Sequence, residues 1–271
     1  MDDLGFHDAL AMLDWQIELG ADEAIVDTPI DRFGLAEQAP SAPAAQMAPA
    51  PRAAQPMAHA TLPPEAALTI NAVALAQEAS AAAQDLAGLK AAVAGFAHCP
   101  LRDTAVQLVF ADGLPGARVM IVGEAPGREE EQQGKPFVGQ AGQLLDKMLE
   151  AIGLDRAATD PAHAVYIANV VPWRPPQNRK PTPEELAMMA PFMRRHIALA
   201  APDLVVLMGN AACEALLGQT GITRLRGEWV TLDTCPALPM LHPAYLFRRP
   251  QDKALAWADL LSLKARLRGL S

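Results

Sequence analysis

The stretch Arg118-Val119-Met120-Ile121-Val122, followed at once by Gly123-Glu124-Ala125-Pro126-Gly127, decides the fold. A short, uninterrupted run of β-branched and other apolar side chains reads as a strand buried on both faces, and the glycine and proline after it stop the strand. Ala164-Val165-Tyr166-Ile167-Ala168 and Asp203-Leu204-Val205-Val206-Leu207-Met208 have the same character, and residues 237–241 (ALPML) read as a fourth strand. Helical stretches are expected at about 141–152, 183–200, 209–217 and 250–268. Alternating strands and helices imply an α/β fold in three layers, α/β/α, with right-handed crossovers around a central, mainly parallel four-stranded sheet. Ligands bind such sheets beyond the carboxyl ends of the strands. Chemistry is therefore expected just after Val122, Ala168, Met208 and Leu241.

Upstream of the first strand, residues 65–95 are Ala-rich with good helix formers and read as one or two helices. Residues 36–64 hold seven prolines and eleven alanines with hardly a charge, a composition that builds no core and reads as a flexible linker. Residues 1–35 form an acidic segment with a short amphipathic helix over about Leu4 to Gly20, carrying Trp15. The domain proper is assigned to residues 65–271. Charge follows the same division. The net charge of −9 lies wholly in residues 1–65, which hold 11 acidic and two basic side chains, so the remainder is balanced and free to carry local basic patches. Nucleic-acid binding is not excluded by the overall acidity.

No apolar run approaches the roughly 18–20 residues that span a bilayer, and Met1-Asp2-Asp3 offers no basic leader. Cys99, Cys213 and Cys235 are odd in number and widely spaced, and form neither a disulfide framework nor a CxxC pair. Reduced thiols in a cytoplasmic protein are the simplest expectation.

Three segments sit at the expected strand tips: GEAPGREEEQQGKPFVGQAGQLLDKML from Gly123, NVVPWRPPQNRKPTPEE from Asn169 and LHPAYLFRRP from Leu241. The first lacks the GxGxxG and GxxxxGK[ST] spacings of phosphate loops. Together, over about Cys99 to Leu263, they resemble the uracil-DNA glycosylase superfamily, closest to its fourth family. The resemblance implies hydrolysis of the N-glycosidic bond of a deoxyuridine flipped out of DNA, which starts base-excision repair. The alternative is a DNA-binding member of the same fold that has lost turnover.

By this resemblance Phe137 stacks on the flipped base, although an ordinary core aromatic would also suit its position. Asn169 reads uracil: its amide donates to O4 and accepts from N3–H, a pattern that cytosine reverses. His242 donates to uracil O2 as negative charge develops. Glu124 is the candidate for orienting water and stabilising the sugar cation, and Gly123 and Ala125 belong to the same substrate-binding loop. Position 125 carries no aspartate, unlike the best-known branch. Glu130 is expected near the base, with Glu129 and Glu131 as a solvated acidic face. Arg174, Arg179, Lys180, Arg248 and Arg249 are candidates for phosphate contacts, and either Leu246 or Phe247 for a wedge into the vacated stack. Nothing basic and His-containing lies between Gly127 and Gly142, so the covalent trap of a related branch is not expected.

Fourth-family members bind a 4Fe–4S cluster through four cysteines. The aligned motifs put Phe96, Cys99, Trp173 and Met189 at those places. A cubane needs a full thiolate set, so the expectation from sequence is no cofactor, with the four side chains forming an apolar plug. Uracil-containing DNA is the expected partner, and the N-terminal segment is a candidate for docking a protein.

Overall fold

The computed structural model describes residues 71–233 and 235–270. The acidic segment 1–35 and the Ala/Pro-rich segment 36–64 lie outside the described residues.

Two helices precede the sheet. Helix α1 (Ala72–Ala82) is capped by Asn71, whose side chain accepts from the Ala74 amide at 3.1 Å. Helix α2 (Leu86–Gly95) is capped by Asp85, which accepts from the Gly88 amide at 2.7 Å. Such caps satisfy amides that the first turn leaves orphaned, and Asp85 is what divides the Ala-rich stretch in two. A single turn, α3 (Leu101–Thr104), leads to β1 (Asp112–Gly113) and β2 (Val119–Gly123). Then follow α4 (Arg128–Gln133), α5 (Gln140–Glu150), β3 (Val165–Asn169), α6 (Pro183–Ala200), β4 (Leu204–Met208) and α7 (Asn210–Leu217). The chain closes with α8 (Ile222–Leu225), β5 (Val230–Leu232), β6 (Cys235–Met240), α9 (Pro243–Arg248) and α10 (Lys253–Gly269).

The strands form one sheet in the order β1-β3-β2-β4-β6-β5. The four expected strands are its parallel centre, and every residue of β2, β3 and β4 is buried. The expected count of four is corrected to six: β1 pairs antiparallel with β3 at one edge, and β5 with β6 at the other. These edges are two and three residues long, too short to carry a periodic signal.

The three layers follow from the two-residue period of the strands. Met120, Val122, Tyr166, Ala168, Val205 and Leu207 pack into one core with residues of α1, α2, α6 and α7. Their neighbours Val119, Ile121, Val165, Ile167, Leu204, Val206 and Met208 pack into the other with α5 and α10. Each fully buried aliphatic side chain is worth roughly 1.5–3 kcal/mol, so register slips are strongly opposed. That register aligns Gly123 with Asn169 and Met208 with Met240. The central strands therefore end flush, and their exit loops share one edge.

Candidate active site

The site is built where those loops leave the sheet. Gly123 is paired in register with Asn169, and a Cβ at Gly123 would run into the Asn169 Oδ1 and the ring edge of Phe137. Glycine is needed here for close approach rather than for an unusual backbone. Phe137 itself has φ +54°, a left-handed conformation that costs a bulky residue energy. Its ring is buried and lies at 29° to the imidazole of His242, with centroids 5.3 Å apart. Phe137, Asn169 and His242, distant in sequence, thus meet at one place.

Asn169 is only 3% exposed, and its Oδ1 is a buried acceptor with no hydrogen-bond partner. Leaving such an atom unpaired costs about 1–3 kcal/mol, and unpaired buried polar atoms call for an explanation. His242 is the N-cap of α9, with Nδ1 accepting from the Ala244 amide at 3.2 Å. That bond leaves the ring proton on Nε2. Burial lowers the His242 pKa to about 4, with the nearby charge of Arg248 adding to the fall and Glu130 opposing it. The imidazole is neutral at pH 7. Room for it comes from Gly209 (φ +90°), where a Cβ would stand 3.2 Å from the Cβ of His242. Gly209 was not singled out from sequence, although it follows a strand directly.

Glu124 follows Gly123 at the tip of β2. Burial pushes its pKa up, while Lys180 and Arg248 pull it back. Ala125 is half-buried and packs on the core. Glu130, expected as a wall or hydrogen-bonding group near the base, has both carboxylate oxygens engaged by backbone amides of its own loop. Its Oε1 accepts from the Val138 and Gly139 amides at 2.9 and 2.8 Å, and its Oε2 from the Gly127 amide at 3.0 Å. Glu131 is not solvated as expected: it is buried, accepting from the Val106 amide at 2.9 Å and pairing with Arg174 at 3.2 Å. The cause is helical geometry, which turns one face of α4 toward the segment before β1.

The arginines divide. Arg174 is held by Glu131 and by the Asn178 Oδ1 at 2.7 Å. Arg179 makes a two-point pair with Glu185, at 2.8 and 2.6 Å, inside the capping box that starts α6. Both therefore serve the architecture of the second loop. Arg248 and Arg249 are exposed on α9 and at its end, with Arg249 3.8 Å from Asp252. The two wedge candidates differ in burial. Leu246 is 1% exposed and belongs to the core, whereas Phe247 is 48% exposed. Leu246 is thus withdrawn from the DNA-facing set, because its neighbour occupies the outward position of the same helical turn.

The uracil DNA glycosylase superfamily model matches residues 110–261. The chain is 39% identical over 160 residues to a type-4 uracil-DNA glycosylase of Thermotoga maritima, covering 57% of this chain and 79% of that protein. It is 37% identical over 162 residues to the type-4 enzyme of Archaeoglobus fulgidus (56% and 78%). Over 188 residues it is 37% identical to that of Pyrobaculum aerophilum (65% and 91%). These likenesses correct the expectation of no cofactor. The relatives are type-4 enzymes, the cluster-binding family of the resemblance, so they point to a 4Fe–4S cluster and not to none.

The residues of this chain do not supply the matching donor set. At the aligned places Phe96, Trp173 and Met189 are buried in one core with Cys99, the single thiol among them. Among the described residues no group of three or more His, Cys, Asp or Glu could hold a metal ion. The family model covers more than half of the chain and the type-4 relatives are matched over more than two thirds of their length, and the chain belongs to the uracil DNA glycosylase superfamily.

Proposed function

We propose that the chain is a monofunctional uracil-DNA glycosylase, cleaving the bond between C1′ and N1 of a flipped deoxyuridine and leaving an abasic site. The observation that carries this reading is the buried, unpartnered Oδ1 of Asn169 beside the Phe137 ring and the neutral His242. An acceptor held dry and unpaired suits a ligand donor such as N3–H of uracil. With the Asn169 amide also donating to O4, cytosine would leave both groups unmatched, and such sites discriminate by about 10⁴-fold.

The flipped base loses a few kcal/mol of stacking and pairing, and stacking on Phe137 returns roughly 1–3 kcal/mol. As the glycosidic bond breaks, its electron pair moves into the uracil ring. The Nε2–H of His242 donates to O2, where one such bond is worth about 3–4 kcal/mol. Burial keeps the imidazole from being protonated, so it acts as a hydrogen-bond donor rather than an acid. Glu124 orients water toward C1′ and opposes the positive charge on the sugar. The water oxygen bonds to C1′, one water proton passes to the carboxylate, and uracil leaves as the anion. Lys180, Arg248 and Arg249 supply phosphate contacts, and Phe247 fills the vacated stack.

No helix among the described residues is long and apolar enough to cross a membrane. All three cysteines are free, which supports a reducing, cytoplasmic setting. We read residues 65–271 as the catalytic domain and residues 1–64 as an arm with a linker, available to a protein partner. The test is incubation with a uracil-containing oligonucleotide followed by alkali. Strand cleavage, lost in Asn169→Ala and His242→Ala, is expected. A gel shift without cleavage by the wild type would favour a non-catalytic binding module.

A further inference from the structure

Phe137 holds its ring against the site from a backbone conformation that a bulky residue resists, φ +54°. Such strain persists only where surrounding contacts over-determine it. Glu130 braces the amides that follow Phe137, and the contacts to the Phe137 carbonyl and the one before it come from a side chain outside the three strand-tip segments. The Nη1 of Arg156 donates to the Pro136 carbonyl at 3.0 Å, and its Nη2 to the Phe137 carbonyl at 2.7 Å. The guanidinium is in turn held by two carboxylates. Its Nε donates to Asp146 on α5 at 2.7 Å, and Nη1 lies 3.4 Å from Asp112 on β1. The arginine side chain is 14% exposed.

The residue before it is tied down as well: Asp155 makes an isolated bridge to Ala164, with its amide donating to the His163 carbonyl at 2.8 Å. From the other side, a Cβ at Gly142 would collide with the Phe137 carbonyl, so the first turn of α5 closes directly over the group that Arg156 grips.

We propose that Arg156 is a positioning residue for the stacking ring: its two-point grip on the Pro136 and Phe137 carbonyls sets the loop that aims Phe137 at the base. The proposal rests on the glycosylase reading for its kinetic consequence, but not for its structural one. Arginine is suited to the task because its planar fork donates to two acceptors at fixed spacing, which lysine cannot do. Arg156 touches neither base nor sugar, and acts only through Phe137.

The test is a double-mutant cycle on uracil excision, joined to amide hydrogen exchange over residues 134–142. Arg156→Met is expected to lower kcat by about 100-fold with KM little changed, since a displacement near 1 Å can cost that factor. In a Phe137→Ala background the same substitution should cost less than about threefold, because the ring it aims is gone. Arg156→Lys should fall between wild type and Arg156→Met, and it carries the cycle if Arg156→Met fails to fold. Exchange in 134–142 should quicken by at least about tenfold while the strands keep their protection. Equal losses in both backgrounds would overturn the proposal, and so would unchanged exchange in that segment. A wild type that excises no uracil would count against the glycosylase reading instead, and the exchange measurement would then decide the grip alone.

Discussion

Asn169→Leu should make the protein more stable and nearly inactive. Leucine has the branched shape of asparagine, with two bulkier methyls in place of the amide oxygen and nitrogen and no polar atoms. In the free protein it removes a buried acceptor that has no hydrogen-bond partner. An unpaired buried acceptor costs about 1–3 kcal/mol, and replacing it by an apolar group recovers that cost. Some of the gain is offset by fitting the branched side chain beside Gly123 and the Phe137 ring, where space is tight. A net gain of about 1 kcal/mol remains, which raises Tm by roughly 2–4 °C for a domain of this size.

Activity moves the other way. The variant loses both hydrogen bonds to the uracil edge and buries the base's N3–H and O4 against hydrocarbon. The ratio of kcat/KM to that of wild type should fall by about 10³–10⁴-fold. Thermal unfolding followed by circular dichroism gives the first quantity, and the alkali-cleavage assay the second. Opposite signs are the signature of a group kept for its ligand rather than for the fold. A variant destabilised by more than 1 kcal/mol would refute the reasoning and make Asn169 a structural support of its loop. A variant within tenfold of wild-type activity would remove Asn169 from base recognition.

Phe247→Ala should lower affinity for uracil-containing duplex by about tenfold while leaving Tm unchanged, as expected of an exposed wedge; Leu246→Ala should instead cost about 2–4 kcal/mol of stability, read by urea unfolding. Because burial raises the pKa of Glu124 and the carboxylate is the working form, the rate of excision should rise with pH through that elevated pKa. Glu124→Gln should lose this acid limb and about 100-fold in rate; a retained limb would assign it to another group. His196 is buried, accepts or donates at 2.9 Å with the Tyr166 hydroxyl, and burial lowers its pKa from 6.5 to about 4. Between those values the unfolded chain binds a proton that the folded chain refuses, so stability falls as pH drops, by about 3 kcal/mol in all. Urea unfolding at pH 7 and pH 4 should show that extra loss in wild type and not in His196→Leu.

What was legible in the sequence was whatever depends on short-range pattern. Continuous β-branched runs announced β2, β3 and β4, because a strand covered on both faces needs no polar alternation. The strand-tip rule then pointed to the loops after β2, β3 and β6, and the resemblance picked out Glu124, Phe137, Asn169 and His242 from them as candidates. Asp85 could be read as a helix former's interruption only after α1 and α2 were seen as separate helices.

The tertiary structure decided which side of an element each polar or apolar residue faces. Glu130 and Glu131 are adjacent acids in one short helix, and only the packing of α4 assigns one to loop amides and the other to Arg174. Leu246 and Phe247 are equally apolar, and only the seating of α9 buries the first and exposes the second. Arg156 carried no signal at all, because its meaning lies in two carbonyls some twenty residues earlier in the chain. Pattern along a chain reports how often a side chain meets the core; it is the closing of the sheet, with its fixed register and flush strand ends, that determines what each one meets there.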